Sequence, residues 1–349
     1  MAPSSLSTNH ILISGNCLDI LGDIDSESID CVITSPPYWA MRVYDNAENA
    51  DEIGNEDDYR TYVKKLTVIF REVKRVLKPT GSLWLNLGDK YNNKALMGMP
   101  WRVALSLMDD GWILRNDVIW NQMKGTQSCK DRLRDSYEHV FHFVKSKKYY
   151  YDDKAIRIKP TLLPTISENQ TISATGVSGK KYREQIHTST ELTDIEKENA
   201  LAALDETILR IRKGEINDFR MAIRGVQRPW HSDNIVVSGR AKELKEKGFY
   251  IMQIGANGAL PTDIWNIVPE DTWRKDKHYA VFPEALLEVP ILATCPINGW
   301  VLDPFSGTGS TVAAALKHKR RGIGIDLSEE YTNVARQRIS ELGITSTLF

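Results

Sequence analysis

Residues 301–311 read VLDPFSGTGST. Val301 and Leu302 end an apolar run with strand character, Gly307 and Gly309 make a tight turn, and Ser310-Thr311 opens an alanine-rich helix. Seventeen residues past Gly309, Asp326 closes a second short strand, GIGID. A strand that turns on glycines into a helix brings backbone close to a ligand at its carboxyl end, and an acid ending the next strand accepts ribose hydroxyls. The third glycine of a dinucleotide fingerprint is missing, as is the lysine of a phosphate-binding loop. The expected ligand therefore has a ribose and no phosphates. Asp303, at the first strand tip, suits a cationic group. S-adenosyl-L-methionine combines a ribose with a sulfonium and an ammonium.

Outward from this stretch the chain alternates β and α. HILIS (10–14), IDCVIT (29–34), SLWLNLGD (82–89), WILRNDVIW (112–120) and HVFHFVKS (139–146) read as strands. Residues 57–77 have helical spacing through Tyr59, Tyr62, Val63, Leu66, Ile69, Phe70, Val73 and Val76, and stop at Lys78-Pro79-Thr80-Gly81. Residues 99–110 form another helix. This order predicts an α/β fold with a mostly parallel sheet covered on both faces. From 156 to 260 the character changes. A polar loop precedes a charged amphipathic helix over 191–213, and then the arginine-rich DFRMAIRGVQRPWHSDN. Three segments follow: 1–155 and 261–349 as halves of one domain, and 156–260 as an insertion.

TSPPYW (34–39) sits at the end of the IDCVIT strand. Two prolines there end the ladder and free carbonyls for other partners. In a doubly wound sheet this tip lies on the same edge as VLDPFSGTG. The Ser35 hydroxyl and the Pro36 carbonyl can each accept a hydrogen of an exocyclic amino group. Tyr38 offers a face for stacking a base, and Pro37 helps stiffen the loop. A base in a duplex must be flipped out to reach such a pocket.

Together S-P-P-Y and Phe305-Ser306-Gly307-Thr308-Gly309 resemble the DNA amino methyltransferases, whose motifs are (D/N/S)-P-P-(Y/F/W) and F-x-G-x-G. With the catalytic motif first and an insertion between, the order is similar to the β group of that family. The resemblance spans about two thirds of the chain. It implies a Rossmann-like class I methyltransferase fold, with a circularly permuted seven-stranded sheet whose last strand is antiparallel and an inserted target-recognition domain. It implies S-adenosyl-L-methionine as cofactor, held by Asn16 and Cys17, by Asp303, Pro304, Phe305, Ser306, Gly307, Thr308 and Gly309, by Asp326, and by His278 over the methionine end. Ser35, Pro36, Pro37 and Tyr38 are the implied catalytic set, with no metal. Serine at the first position goes in this family with cytosine N4, and Asp or Asn with adenine N6. The implied partner is double-stranded DNA, in a restriction–modification setting with a cognate endonuclease; monomer and homodimer both stay open. Adenine N6 methylation, a catalytically silent DNA-binding protein of the same fold, and an enzyme that methylates RNA or a small amine are the rival readings.

Other residues keep two readings. Trp39 either lines the base pocket or packs beneath the loop. Asn86 and Asp89 either face the site or cap structure. Arg132, Arg134 and His139 either touch phosphate or lie on a solvated face. Lys180-Lys181-Tyr182-Arg183 and Arg220 to Arg228 suit DNA backbone contacts, and Gln227 can read a base edge. Cys295 precedes a proline and reads as a buried thiol, not a nucleophile. The composition, 42% hydrophobic and 26% charged with a net charge of −1, supports a sizeable core and makes any basic surface local. Four cysteines without metal-like spacing predict free thiols in a reducing compartment. With no membrane span in the sequence, a cytoplasmic, nucleoid-associated protein is expected.

Overall fold

The computed structural model describes residues 9–40, 52–123, 129–168, 170–226, 239–269 and 282–343. The chain divides into two compact units, one of residues 1–156 and 262–349, the other of residues 157–261. The first unit begins with β1 (His10–Ser14), α1 (Cys17–Asp23), β2 (Ile29–Thr34), α2 (Tyr59–Val76) and β3 (Leu77–Leu87). A two-stranded ribbon, β4 (Tyr91–Asn92) and β5 (Ala95–Leu96), leads to α3 (Met99–Asp109), β6 (Ile113–Asn121) and β7 (Tyr137–Val144).

The second unit holds β8 (Thr165–Ile166), β9 (Thr171–Ile172), α4 (Lys180–Thr188), α5 (Asp194–Arg212), β10 (Ile216–Ile223), α6 (Gly239–Lys247) and β11 (Phe249–Gly255). β10 and β11 pair antiparallel. Tyr182, Ile186, Leu204, Ile211, Phe219 and Phe249 form its core. The helix expected over 191–213 starts later, at a capping box in which the Thr193 and Glu196 side chains satisfy each other's backbone N–H groups.

The first unit resumes with β12 (Ile264–Asn266), α7 (Glu284–Thr294), β13 (Trp300–Asp303), α8 (Ser310–Lys317), β14 (Arg321–Asp326) and α9 (Glu329–Glu341). Its sheet has the order β1-β14-β13-β2-β3-β7-β6-β12. Every neighbouring pair is parallel except those of β7, which runs antiparallel to both β3 and β6. This is the expected permuted sheet with one addition among the described residues. The extra strand is β12, pairing over Ile264–Asn266 with Ile119–Asn121 at the edge. Three residues are too few to leave a period-2 signature.

Alternation along the central strands sorts the core. Val32, Leu83, Leu85, Phe141 and Leu302 point to the face covered by α1, α2 and α3. Cys31, Ile33, Trp84, Val140 and Val301 point to the face covered by α7 and α8. β2 is buried throughout, as a strand covered on both faces must be. Val312, Leu316 and Ile339 join α8 to α9 on the second face. The helix after β2 thus packs on one face and the helix after β13 on the other, although these strands are neighbours. That makes the crevice beyond their carboxyl ends the topological switch point, where ligands bind in such sheets. The stop signal after α2 also behaves differently from a plain loop. Leu77 already pairs with Ile29, and after a register shift, with residues 78–81 bulging within β3, pairing resumes between Ser82 and Cys31.

Candidate functional site

Both motif loops leave the sheet at this switch point. β2 and β13 lie side by side in register, Val301 opposite Cys31 and Leu302 opposite Val32. At their tips Thr34 Oγ1 donates to Asp303 Oδ1 at 2.6 Å, and both residues are buried. Asp303 Oδ1 also accepts from the Phe305 amide at 3.0 Å, and Oδ2 accepts from Thr311 Oγ1 at 2.6 Å. Burial pushes this carboxyl up to about 6, against the pull of those donors. The acid expected to face a cationic ligand therefore points inward and ties the two tips together. The reason is donor supply: both oxygens are taken by protein groups.

The glycine loop follows. The Ser306 amide donates to the Ile325 carbonyl at 2.8 Å, and the Gly309 amide to the Ser306 carbonyl at 2.9 Å, closing the turn. Gly307 has φ of +51°, and a β-carbon there would meet no atom within 4 Å, so its backbone faces open space. Gly309, with φ of +77°, is needed for a different reason: a β-carbon would lie 2.8 Å from that of Ala335 on α9. Pro304 and Thr308 are buried, and Phe305 packs on the α1–α3 face. Ser306 Oγ is buried without a partner, pressed against Gly324.

Asp326 ends β14 next door. Its carboxylate accepts from the Gly307 amide at 2.8 Å and the Ser328 amide at 2.9 Å, and partial burial raises its pKa. Its carbonyl accepts from the Gly15 amide at 2.9 Å, joining the β1 tip. There Asn16 caps α1 through the Leu18 amide at 2.9 Å. The Cys17 side chain sits in the core, its thiol pushed up to about 12 by burial, so only its backbone is available to a ligand. His278 lies outside the described residues. An open approach at Gly307, a half-buried acid at Asp326 and an orphaned hydroxyl at Ser306 fit an adenosine-type ligand, and no lysine answers a phosphate in this loop.

On the β2 side the prolines are braced. Tyr62 of α2 donates to the Pro37 carbonyl at 2.9 Å. Trp39 packs beneath the loop: it is 7% exposed, and its indole N–H donates to the Glu56 carbonyl at 2.7 Å. The Tyr38 ring lies against Gly88, where a β-carbon would come within 2.7 Å of it. Its hydroxyl donates to Glu138 Oε2 at 2.6 Å and lies 3.1 Å from Asn86 Oδ1 and 3.2 Å from Ser35 Oγ. Burial first, then the Glu138 charge, holds the phenol well above its usual range, so it keeps its proton. Asn86 Nδ2 in turn donates to Glu138 Oε2 at 3.0 Å, and Gln122 Nε2 to Oε1 at 2.9 Å.

Asn86 therefore joins the site, whereas Asp89 caps α3 by accepting from the Met99 amide at 3.0 Å. His139 is taken by Asp117 at 2.8 Å and stacks on Phe141. Arg132 lies over the Tyr91 ring and near Asp135. Sequence reasoning passed over Glu138 and Gln122. The available signal was a carboxylate entering an otherwise buried aromatic strand, YEHVFHFV. Cys295 is buried with its thiol pushed up, as an unreactive core cysteine is. In the second unit Tyr182 belongs to the core, Lys180 and Lys181 are exposed, Arg183 pairs with Asp205, and Arg224 pairs with Glu196. Arg220 is exposed beside Asp218. Gln227, Arg228, Trp230 and His231 lie outside the described residues.

A family profile described as DNA methylase, covering the N6 and N4 enzymes, matches residues 29–337. This chain belongs to that family. Among curated relatives, the methylase is 32% identical to the Type II methyltransferase M.SfiI of Streptomyces fimbriatus, over 92% of this chain and 88% of that one. It is 29% identical to the Type II methyltransferase M.SmaI of Serratia marcescens, over 94% and 90%. Among solved structures, the PvuII DNA methyltransferase, described as cytosine-N4-specific, superposes with a TM-score of 0.56 at 17% identity over 97% of this chain and 90% of that one. A DNA modification methylase of Thermus thermophilus, complexed with S-adenosyl-L-methionine, gives 0.50 at 20% identity over 95% and 93%. The methylase is thus a site-specific DNA methyltransferase of the restriction–modification kind. Among its described residues no helix is long and apolar enough to cross a membrane, and no cluster of acids, cysteines and histidines is placed to hold a metal.

Proposed function

We propose that this methylase transfers a methyl group to the exocyclic N4 of a cytosine flipped out of duplex DNA. The observation that carries this reading is the 2.6 Å hydrogen bond from Thr34 to Asp303, which holds the two motif loops at adjacent strand tips. S-adenosyl-L-methionine supplies an electrophilic methyl on a sulfonium. Gly307 and its neighbours in the loop give it close backbone approach, and Asp326 accepts from its ribose. Asn16 and the Cys17 backbone border the adenine. Asp303 is a positioning residue, fixing the loop relative to the base pocket. On the other tip Ser35 Oγ and the Pro36 carbonyl accept the two amino hydrogens. The nitrogen is drawn toward tetrahedral geometry and its lone pair is freed. Tyr38, anchored by its hydroxyl and backed by Gly88, presents its ring to the extruded base, where stacking contributes about 1–3 kcal/mol. Pro37, held by Tyr62, keeps the loop in shape before the base arrives.

Serine at position 35 favours cytosine over adenine. Residues 157–261 act as the target-recognition domain, where the exposed Lys180, Lys181 and Arg220 serve phosphate contacts. A cognate endonuclease is the expected companion. The test is expression in a host lacking DNA modification, followed by digestion to nucleosides and mass analysis. N4-methylcytosine is expected. N6-methyladenine would move the substrate to the rival base, and unmodified DNA would leave only the binding-protein reading.

A further inference from the structure

The hydrogen bonds around Tyr38 have a consequence for the proton. A tyrosine hydroxyl has one hydrogen, and an ionised carboxylate only accepts. At 2.6 Å the Glu138 carboxylate takes that hydrogen ahead of Asn86 Oδ1 at 3.1 Å. Ser35 Oγ, 3.2 Å from the phenol oxygen, must then be the donor in that pair. As that donor, Ser35 keeps both lone pairs of its oxygen for accepting. Glu138, on the antiparallel β7, thus sets the hydrogen-bond polarity of Ser35 through the Tyr38 hydroxyl. Asn86 and Gln122 hold both its oxygens in place.

We propose, resting on the amino-methyltransfer reading above, that Glu138 is the terminal acceptor of the proton that leaves the methylated amino group. When the amino nitrogen bonds to the methyl carbon, the carbon–sulfur bond breaks with its electron pair left on sulfur. The nitrogen becomes cationic and must lose a proton. That proton passes to Ser35 Oγ as the Ser35 hydrogen moves to the Tyr38 oxygen and the Tyr38 hydrogen to Glu138 Oε2. Charge balances: a cationic base and a carboxylate become a neutral base and a carboxylic acid. Glu138 is only half-buried, so it can return the proton to water. Tyr38 passes a proton without ever standing as a free phenolate. Glu138 is a positioning and proton-accepting residue, not a contact to substrate.

The experiment is single-turnover methyl transfer by the full chain at pH 8, using labelled S-adenosyl-L-methionine and plasmid DNA from an unmodified host. E138Q keeps a hydrogen-bonding side chain but cannot take a proton. It should lose about 10²-fold or more in rate and keep wild-type affinity for the methyl donor. Tyr38→Phe keeps the ring and breaks the relay. It should slow transfer by a similar factor with donor affinity unchanged, and the double variant should be no slower than the slower single. A rate for E138Q within threefold of wild type, or losses that multiply in the double variant, would overturn the proposal. Should E138Q fail to fold, the rate and donor affinity of Tyr38→Phe decide alone. Wild-type chain that transfers no methyl at all would instead sink the reading of the reaction itself.

Discussion

Thr34→Val removes one hydroxyl and preserves shape at a fully buried position, so no cavity forms. What is lost is the 2.6 Å donation to Asp303 Oδ1. Burial sets the Asp303 carboxyl at about 6 in the folded chain, against an ordinary value of 3.8. An acid raised on folding binds its proton more tightly in the native state. Its cost to stability is absent at low pH and accrues as pH climbs from the unfolded value through about 6. Thr34 offsets part of that cost by donating to the ionised form. Valine should therefore carry a penalty that grows with pH. A bond to a neutral acceptor contributes about 1 kcal/mol, and one to a charged group about 1.5–3 kcal/mol. The expected loss is about 1 kcal/mol at pH 5 and about 2–3 kcal/mol at pH 8. Urea unfolding followed by tryptophan fluorescence reads the right unit, because eight of the nine tryptophans lie in residues 1–156 and 262–349. A penalty equal at the two pH values, or larger at pH 5, would refute the assignment of Asp303 as an ionised strut between the loops.

Three further outcomes follow from the same structure. Ser35→Ala should leave donor affinity within twofold while the methylation rate drops about 10²-fold or more, because an acceptor for an amino hydrogen and the first step of the proton path go together; near wild-type turnover would remove Ser35 from the base pocket. Gly307→Ala and Gly309→Ala should separate ligand from fold. The first meets open space and should weaken donor binding in an isothermal titration at a stability cost of about 1 kcal/mol. The second collides with Ala335 and should lower the melting temperature, with a cost of about 2–4 kcal/mol. His142 is buried against Trp84, and burial depresses its pKa to about 3. A histidine depressed on folding contributes stability above its unfolded pKa of 6.5 that drains away as pH falls toward 3. His142→Phe should flatten that acid loss, worth up to about 4–5 kcal/mol, for about 1 kcal/mol at neutral pH from the unpaired Ser82 hydroxyl. Unchanged acid midpoints in urea would contradict it.

What the sequence made legible depended on how local the cause was. β2, α2, β13, α8 and β14 are written in apolar period, glycine turn and stop signal, and each lies within a few residues of its expected place. Both loops of the site were legible for the same reason, because a strand tip followed by prolines or glycines has few alternatives. β12 was not, since three residues owe their strand character to the exposed edge of β6. Nor was the inward turn of Asp303. Its orientation depends on Thr34, 269 positions away along the chain, and no pattern around VLDPF announces that donor.

Glu138 shows the same limit in a more instructive form. In YEHVFHFV the eye goes to histidine, because histidine titrates near neutral pH and glutamate on a strand reads as surface. Yet β7 is the one antiparallel strand flanking β3. Its amino end, not its carboxyl end, therefore lies on the edge where β2 and β3 finish. Reversal of that single strand places the second residue of β7 beside the tip of β3, where Asn86 meets it. The rule that functional residues sit at the carboxyl ends of strands holds for the parallel members alone. For the antiparallel one it inverts, and a sequence reading that keeps the rule but forgets the direction will search β7 from the wrong end.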